Sequence, residues 1–398
     1  MRIGIVGSGV SGLVCAMLLD DAHEVVLLER DDRLGGHANT VEVELEGRMV
    51  PVDTGFIVFN PGQYPGFVRI LERLGVASQP TRMSFSVRCD SAGLEYGGAT
   101  LSGLLARRRN AIDPGFLRML LEIRRFGLEG ERLVDAVDDQ ITVGSYLDDA
   151  GYSDRFIAHY LIPMGASIWS MPPARFREFP LRALLRFFHN HGMLRPWRPP
   201  QWRTVTGGSR RYVEAIARGL RGRIRLGAAV ECVERRADGV LLRTAQGDEQ
   251  VDEVILATHS DQSLAMLAAP TEAEREILGA IAYQANEAVL HTDASLLPAR
   301  RAAWSGWNYH SFSDPAAPVA LTYQMNILQG LPLSTPVCVT LNASDRVAPR
   351  HVLARFRYEH PQYSAATFAA QRRRDEISGR NRTHYCGAYW GYGFHEDG

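Results

Sequence analysis

The chain contains no lysine: all 44 of its basic residues are arginine. No lysine amine is available for Schiff-base or proton-relay work, so such chemistry would have to fall to other side chains. Excess charge is missing too. The formal net charge is -1, and no global field directs the chain toward nucleic acid. The cysteines Cys15, Cys89, Cys232, Cys338 and Cys386 are scattered, odd in number and form no C-x-x-C pair. That excludes a disulfide framework or a zinc site, and it points to a reducing cytoplasm. Runs long and apolar enough to span a bilayer are absent. The apolar stretch 3–19 is interrupted by Gly7, Gly9 and Gly12 and leads directly into another strand, so it reads as strand-turn-helix rather than a leader. Binding at a membrane surface stays open.

What is present describes a globular protein. With 398 residues, 45% hydrophobic and 22% charged, the chain exceeds the usual size of one core, which predicts interleaved domains able to enclose a large ligand. The opening reads β-α-β: a β-branched run at 2–6, a turn at 7–12, a helix at 13–19 and a buried strand at 23–29. A hairpin is predicted over 41–52 and a helix over 66–74. Short strands around Phe85 and Leu94, then helices at 116–127 and 144–150, mark an insertion. After a Gly-Gly turn at 207–208, a helix at 211–219 and strands at 224–226, 230–235, 240–245 and 251–257 return to the core. A second insertion carries strands at 287–292, 319–325 and 337–341. The predicted class is α/β. A Rossmann-like core takes 1–78, 204–262 and 380–398, and an inserted substrate domain of mixed sheet plus helices takes 79–203 and 263–379.

Gly7-Ser8-Gly9-Val10-Ser11-Gly12 is a G-x-G-x-x-G with a strand before it and a helix after it. The first glycine permits the turn, the second lets a pyrophosphate approach the backbone, and the third lets helix and strand pack closely. Glu29 closes the next strand, about 20 residues on, where a carboxylate accepts hydrogen bonds from ribose hydroxyls and repels a 2′-phosphate. Strand, helix and acid together turn a weak glycine pattern into a dinucleotide site.

Arg33-Leu34-Gly35-Gly36-His37 follows at once, and here the chain resembles the flavin amine oxidase and phytoene desaturase superfamily, whose second fingerprint is an R-x-G-G-R type element. Paired glycines let the backbone lie against phosphate and ribose, and Arg33 offers a countercharge. Thr206-Gly207-Gly208-Ser209 resembles the superfamily's G-G turn. The run from Val230 through Val254 to Ala257, Thr258 and His259 resembles the strands on its adenine side. Gly387-Ala388-Tyr389-Trp390-Gly391-Tyr392-Gly393-Phe394-His395-Glu396-Asp397-Gly398 sits where the superfamily brings a glycine-rich turn under the flavin. That ending, with the segment from Val52-Asp53-Thr54-Gly55-Phe56 to Asn60 and with Ile168-Trp169-Ser170, narrows the resemblance to NAD/FAD-binding proteins distantly related to amine oxidases. Members of that subgroup are often encoded beside, or in plants fused to, cyclopropane-fatty-acid-synthase-like methyltransferases.

The resemblance implies a fold of the glutathione-reductase and amine-oxidase type with FAD as cofactor. The implied cofactor set runs from Gly7, Gly9, Val10, Ser11 and Gly12 through Glu29, Arg30, Arg33, Gly35, Gly36 and His37 to Thr54, Gly55 and Phe56. Val230, Ala257 and Thr258 continue it, and Gly387, Phe394, His395, Glu396 and Asp397 close it. A lipid acyl substrate and a methyltransferase as functional partner are implied as well. The family continues into a helix after Asp397-Gly398. The sequence ends at Gly398, so either it is truncated there or another group caps the flavin edge, and a weakened flavin affinity is the expected consequence.

Superfamily amine oxidases keep a lysine that reaches flavin N5 through water, so a lysine-free chain points away from ordinary amine oxidation. The Gly-Asp-Ala element of aromatic flavin hydroxylases is also missing. The expected reaction is dehydrogenation or isomerisation of an apolar acyl-type substrate by hydride transfer to the flavin. His395 is a candidate acid or base, because imidazole titrates near neutrality. Asn60 and Tyr389 join it as catalytic candidates, and Asn60, Tyr64, Trp169, Tyr323 and Trp390 are candidate pocket walls. His189 and His191 lie at a basic helix end and read as solvated residues rather than metal ligands. Residues 181–203 mix Arg182, Arg186, Arg195, Arg198 and Arg203 with Leu184, Leu185, Phe187, Phe188, Trp197 and Trp202 and hold no acid, which suits an anionic membrane surface at the inner face of the membrane. Stretches 104–109 and 116–125 extend the pattern. Amphipathic helices packing on the core would give the same pattern. An amine oxidase-like reaction and a flavin-binding accessory subunit without turnover remain open alternatives.

Overall fold

The computed structural model describes residues 1–138, 140–169, 173–313 and 319–398. Ser170 of the Ile168-Trp169-Ser170 motif lies outside the described residues.

Strands Arg2–Val6 and Glu24–Leu28 pair in parallel, joined by the helix Val10–Leu19. Their aliphatic residues are buried on both sides, as a parallel sheet covered on both faces requires. Strands Glu253–Leu256, Thr383–Tyr385 and Arg223–Arg225 complete a five-stranded parallel sheet in the order 383–385, 253–256, 2–6, 24–28, 223–225. The helix begins at Val10, three residues before the predicted start at Leu13, because Gly9 is its N-cap and the second half of the glycine turn is already helical.

The strand expected over 251–257 is two strands. Glu249–Val251 runs antiparallel to Val240–Thr244, whereas Glu253–Leu256 joins the parallel sheet. Asp252 is the switch: its carboxylate accepts from the Arg2 amide at 2.7 Å and its own amide donates to the Arg2 carbonyl at 2.8 Å. Val230–Arg235, Val240–Thr244 and Glu249–Val251 therefore form a separate three-stranded antiparallel sheet rather than returning to the core sheet. The two sheets meet at Gly4, where a Cβ would lie 2.7 Å from Leu242 Cδ1.

Both insertions contribute to one seven-stranded sheet, ordered 352–361, 283–291, 338–341, 320–324, 307–311, 85–89, 94–97. Trp307–Ser311 and Phe85–Cys89 pair in parallel, and the other neighbours are antiparallel. Helix Pro114–Leu133 starts where the Asp113 carboxylate accepts from the Gly115 and Phe116 amides, with Pro114 at its first position. It turns Phe116, Met119 and Phe126 into a cluster shared with Leu184, Leu185, Phe187 and Phe188 of the helix Leu181–Asn190. The aromatic side of segment 181–203 expected at a lipid interface is thus largely core. Among the described residues no helix is long and apolar enough to cross a membrane.

Candidate functional site

The glycine turn lies at the carboxyl ends of the parallel strands. Gly7 has φ +98°, its amide donates to the Leu28 carbonyl at 2.8 Å, and a Cβ there would sit 2.8 Å from the Ala257 carbonyl oxygen. A Cβ on Gly12 would come within 1.9 Å of the Gly7 carbonyl oxygen. Gly9 differs, since nothing lies within 4 Å of its would-be Cβ. The helix it opens has no side-chain cap and no acid in its first turn, which leaves its first amides as donors for an anion. Gly398 packs against this helix start, with Val10 Cγ1 2.6 Å and Ser11 Oγ 3.0 Å from its would-be Cβ.

Glu29 is buried and braces the turn: one carboxylate oxygen accepts from the Ser8 amide (2.8 Å) and hydroxyl (2.6 Å), the other from the Asp31 amide (3.0 Å). A carboxylate has about four acceptor sites, so capacity for ribose hydroxyls remains. Arg33 donates to the Gly36 carbonyl at 2.9 Å, so it closes its own loop rather than standing as a free countercharge. Arg30 is mostly exposed beside Asp31. The Gly35 amide donates to Ser8 O at 3.0 Å, and a Cβ on Gly36 would lie 3.1 Å from Gly9 Cα, so the two glycine elements touch. The Phe56 amide donates to His37 O at 2.8 Å, and a Cβ on Gly55 would lie 2.2 Å from the same oxygen. Thr54 Oγ1 shares a 2.7 Å hydrogen bond with the Tyr358 hydroxyl. The Ala228 amide donates to Glu29 O at 2.8 Å, which brings the strand opening at Val230 beside the same acid. Ala257 lines Gly7 and Gly12, and Thr258 Oγ1 bonds Ser263 Oγ at 2.9 Å.

Three imidazoles converge at this edge. The His37 ring centroid is 6.4 Å from that of His259 and 5.4 Å from that of His360. Burial, reinforced by neighbouring histidines and Arg33, holds His37 well below its ordinary pKa, and burial pushes His360 down to about 4. Nε2 of His37, Nδ1 of His259, Nδ2 of Asn60 and the hydroxyl of Tyr363 are buried without a hydrogen-bond partner, and Glu359 stands 3.6 Å from His259 Nδ1. His37 and His259 adjoin the glycine turn through Gly36 and Thr258, Tyr363 Oη lies 2.6 Å from a would-be Cβ on Gly393 of the C-terminal turn, and Asn60 O accepts from the Tyr64 amide at 3.0 Å. Unpaired buried polar groups cost about 1–3 kcal/mol each. Unpaired ring nitrogens of His37 and His259 beside a turn whose Gly9 leaves open space at an uncapped helix start fit a polar, anionic ligand such as a flavin dinucleotide.

The C-terminal turn is tied to distant elements. Glu396 accepts from the Gly66 and Phe67 amides at 2.7 and 2.9 Å, and Asp397 from the Tyr392 and Phe394 amides at 3.0 and 2.9 Å. His395 Nε2 lies 2.8 Å from the Tyr212 hydroxyl, and its ring stacks on Phe56 at 3.6 Å. Burial pushes its pKa down to about 3, so near neutral pH this imidazole positions the turn instead of serving as the expected acid or base. Tyr389 is buried, with its hydroxyl unpartnered.

Of the expected pocket walls, Tyr64 and Trp169 converge through shared neighbours. Phe394 lies 4.8 Å from Phe187 and 5.6 Å from His191; His191 meets Tyr64 at 6.3 Å, and Trp169 meets Phe187 at 5.0 Å. His191, read from the sequence as a solvated helix end, is largely enclosed, and burial pushes its pKa down to about 4. Tyr323 and Trp390 do not join this group: Tyr323 packs on Trp307 in the cluster of Val43, Val50 and Ile57, and Trp390 packs on Tyr389 and against the cluster of Val6, Leu256 and Tyr385 at the parallel sheet. Sequence reasoning missed Tyr212, Tyr358 and His360. The alternation along 352–358 was the available signal for the last two.

A family model described as flavin containing amine oxidoreductase matches residues 10–396. A Mycobacterium tuberculosis protein named as flavin-containing monoamine oxidase AofH is 26% identical over 275 residues, 64% of this chain and 56% of that protein. Among solved structures, the CLA-producing fatty acid isomerase from P. acnes has a TM-score of 0.70 at 16% identity, covering 100% of this chain and 95% of its own. Cyclohexylamine oxidase from Brevibacterium oxydans has a TM-score of 0.69 at 16% identity, again over 100% and 95%. These structural likenesses establish a shared fold. The chain spans about half the length of the curated relatives it matches.

Proposed function

The chain belongs to the flavin containing amine oxidoreductase family, and on that premise we propose an FAD-dependent oxidoreductase that dehydrogenates or isomerises an apolar, acyl-type substrate. One observation carries the substrate class. Tyr64, Trp169, Phe187, His191 and Phe394 pack as one aromatic cluster that reaches the C-terminal turn at Phe394, its histidine is held neutral, and the neighbouring carboxylates of Glu396 and Asp397 are engaged by backbone amides. An ammonium group placed there would face burial without a free carboxylate, at a cost of several kcal/mol. An acyl chain instead gains roughly 25 cal/mol for each Å² of apolar surface buried.

A bound flavin supplies a hydride acceptor, which leaves placement and exclusion of water to the protein. Gly9 and the amides of Val10 and Ser11 would hold the diphosphate, and Glu29 the ribose hydroxyls. Asn60 Nδ2, buried without a partner on the residue whose carbonyl accepts from the Tyr64 amide, is a group available to a carbonyl or carboxyl oxygen, whereas the unpartnered Tyr389 hydroxyl lies beside Trp390. The solved fold neighbour named as a fatty acid isomerase supports the acyl reading, and the relative named as a monoamine oxidase supports an amine reading. Anaerobic mixing of the flavoprotein with unsaturated fatty acids, phospholipids and amines, read by flavin bleaching and by product chromatography, separates them. Bleaching or double-bond movement with lipids alone supports the proposal; bleaching with amines alone overturns it.

A further inference from the structure

The outward face of helix Pro114–Leu133 carries a row of uncovered aliphatic side chains. Leu117, Leu121 and Leu128 are 44%, 68% and 46% exposed, and Ile112, just before the helix, is 81% exposed. Positions 117, 121, 124 and 128 share one face at 3.6 residues per turn. Single exposed leucines need no explanation, but a row does.

The unpaired charges beside the row have one sign. Arg124 and Arg132 are exposed on the helix with no ion pair among the described residues, whereas Arg118 and Arg125 are paired along the helix with Glu122 and Glu129. The helix's acids are all engaged: Glu122 is buried against Ser153 and Arg118, Glu129 accepts from the Tyr146 and Tyr152 hydroxyls and from Arg125, and Glu131 is paired with Arg195. Asp113 caps the helix and pairs with Arg155, and the next exposed acid is Asp135, paired with Arg186. The loop 195–199 lies against the same helix. Gly127 admits the Leu194 carbonyl, the Trp197 ring reaches within 3.7 Å of a would-be Gly127 Cβ, and Trp197 is 50% exposed between exposed Arg195 and Arg198.

We infer that this face docks the protein on an anionic phospholipid bilayer. Ile112, Leu117, Leu121, Leu128 and Trp197 enter the interface, and the arginines beside them meet lipid phosphates. The inference does not depend on the flavin reading. A two-fold contact between copies through this face would set arginines against arginines, which disfavours a second copy as the occupant. It also reassigns the membrane-facing role from the buried aromatic side of helix Leu181–Asn190 to a neighbouring helix and to the loop that follows.

The test is co-sedimentation of the full-length protein with vesicles of phosphatidylglycerol or of phosphatidylcholine. Sedimentation with phosphatidylglycerol, weakened by salt and nearly absent with phosphatidylcholine, is expected. The pairs Leu121→Glu with Leu128→Glu and Arg124→Glu with Arg132→Glu should each lower partitioning roughly tenfold or more, with circular dichroism and flavin content unchanged. If a glutamate pair unfolds the chain, Leu121→Ser with Arg124→Gln makes the same comparison. Wild-type protein remaining in the supernatant, variants sedimenting like wild type, or light scattering that shows a dimer dissociated by the same substitutions would each overturn the inference.

Discussion

Glu396 and Gly66 are joined by a 2.7 Å hydrogen bond across 330 residues of chain. The helix this bond serves, Pro65–Leu74, starts after Tyr64 with no side-chain cap of its own, so a carboxylate from the far end of the sequence fills the cap and faces the positive end of the helix dipole. Glu396→Ala should cost about 1–2 kcal/mol of stability, and Glu396→Gln less. Urea denaturation checks this; an unchanged midpoint in both variants would contradict it.

Asp53 ties three parts of the fold together. It accepts from the Thr40 hydroxyl (2.6 Å), the Ser209 amide (2.9 Å) and hydroxyl (2.8 Å), and Gln329 Nε2 (3.1 Å). Burial outweighs these bonds and raises its pKa from 3.8 to about 6. Because the folded state holds this proton more tightly, the contribution of Asp53 is most favourable below 3.8 and is lost as pH rises through about 6. Asp53→Ala should destabilise by about 3–5 kcal/mol through the unpaired donors it leaves, seen as a lower Tm at neutral pH. A Tm equal to wild type would refute the role.

Several histidines act in the opposite direction. Burial pushes His191, His291 and His360 down to about 4 and His395 to about 3, from 6.5. Unfolding lets each take up a proton, so the stability they carry is complete above 6.5 and is lost as pH falls toward 4. With four such groups against one Asp53, Tm should drop between about pH 7 and 5, and His360→Gln should make that drop shallower. A pH-independent Tm across that window would argue against buried neutral imidazoles.

Neutral, stacked and bonded to Tyr212, His395 should leave no mark on the pH profile of catalysis. His395→Gln is expected to lower flavin content and overall rate while keeping the shape of the pH–rate curve between about pH 5 and 8. Loss of a limb of that curve would restore His395 as an acid or base.

The parts legible in the sequence were local. Gly7 to Gly12, Glu29 and the Gly35-Gly36 pair sit within one βαβ unit, where spacing encodes contact directly. The seven-stranded sheet was harder, because its joint pairs Trp307–Ser311 with Phe85–Cys89 from another insertion. Strand Val352–Pro361 was legible but unread: Val352, Ala354, Phe356 and Tyr358 alternate with exposed Leu353, Arg355 and Arg357. For helix Leu181–Asn190, an apolar stripe looks alike whether protein or lipid covers it, and here the protein does. The neutral state of His395 depends on Phe56, Phe67 and Tyr212 closing around it, which no local pattern encodes.

The most direct test uses the openness at Gly9. Its φ is -62°, and no protein atom lies within 4 Å of its would-be Cβ, so Gly9→Val should fold like wild type. Flavin absorbance per folded chain, measured after reconstitution with FAD, is the readout. Wild type should hold stoichiometric flavin and Gly9→Val should lose most of it at unchanged circular dichroism and Tm. Full flavin occupancy in Gly9→Val, or none in wild type, would contradict a diphosphate seated on this turn.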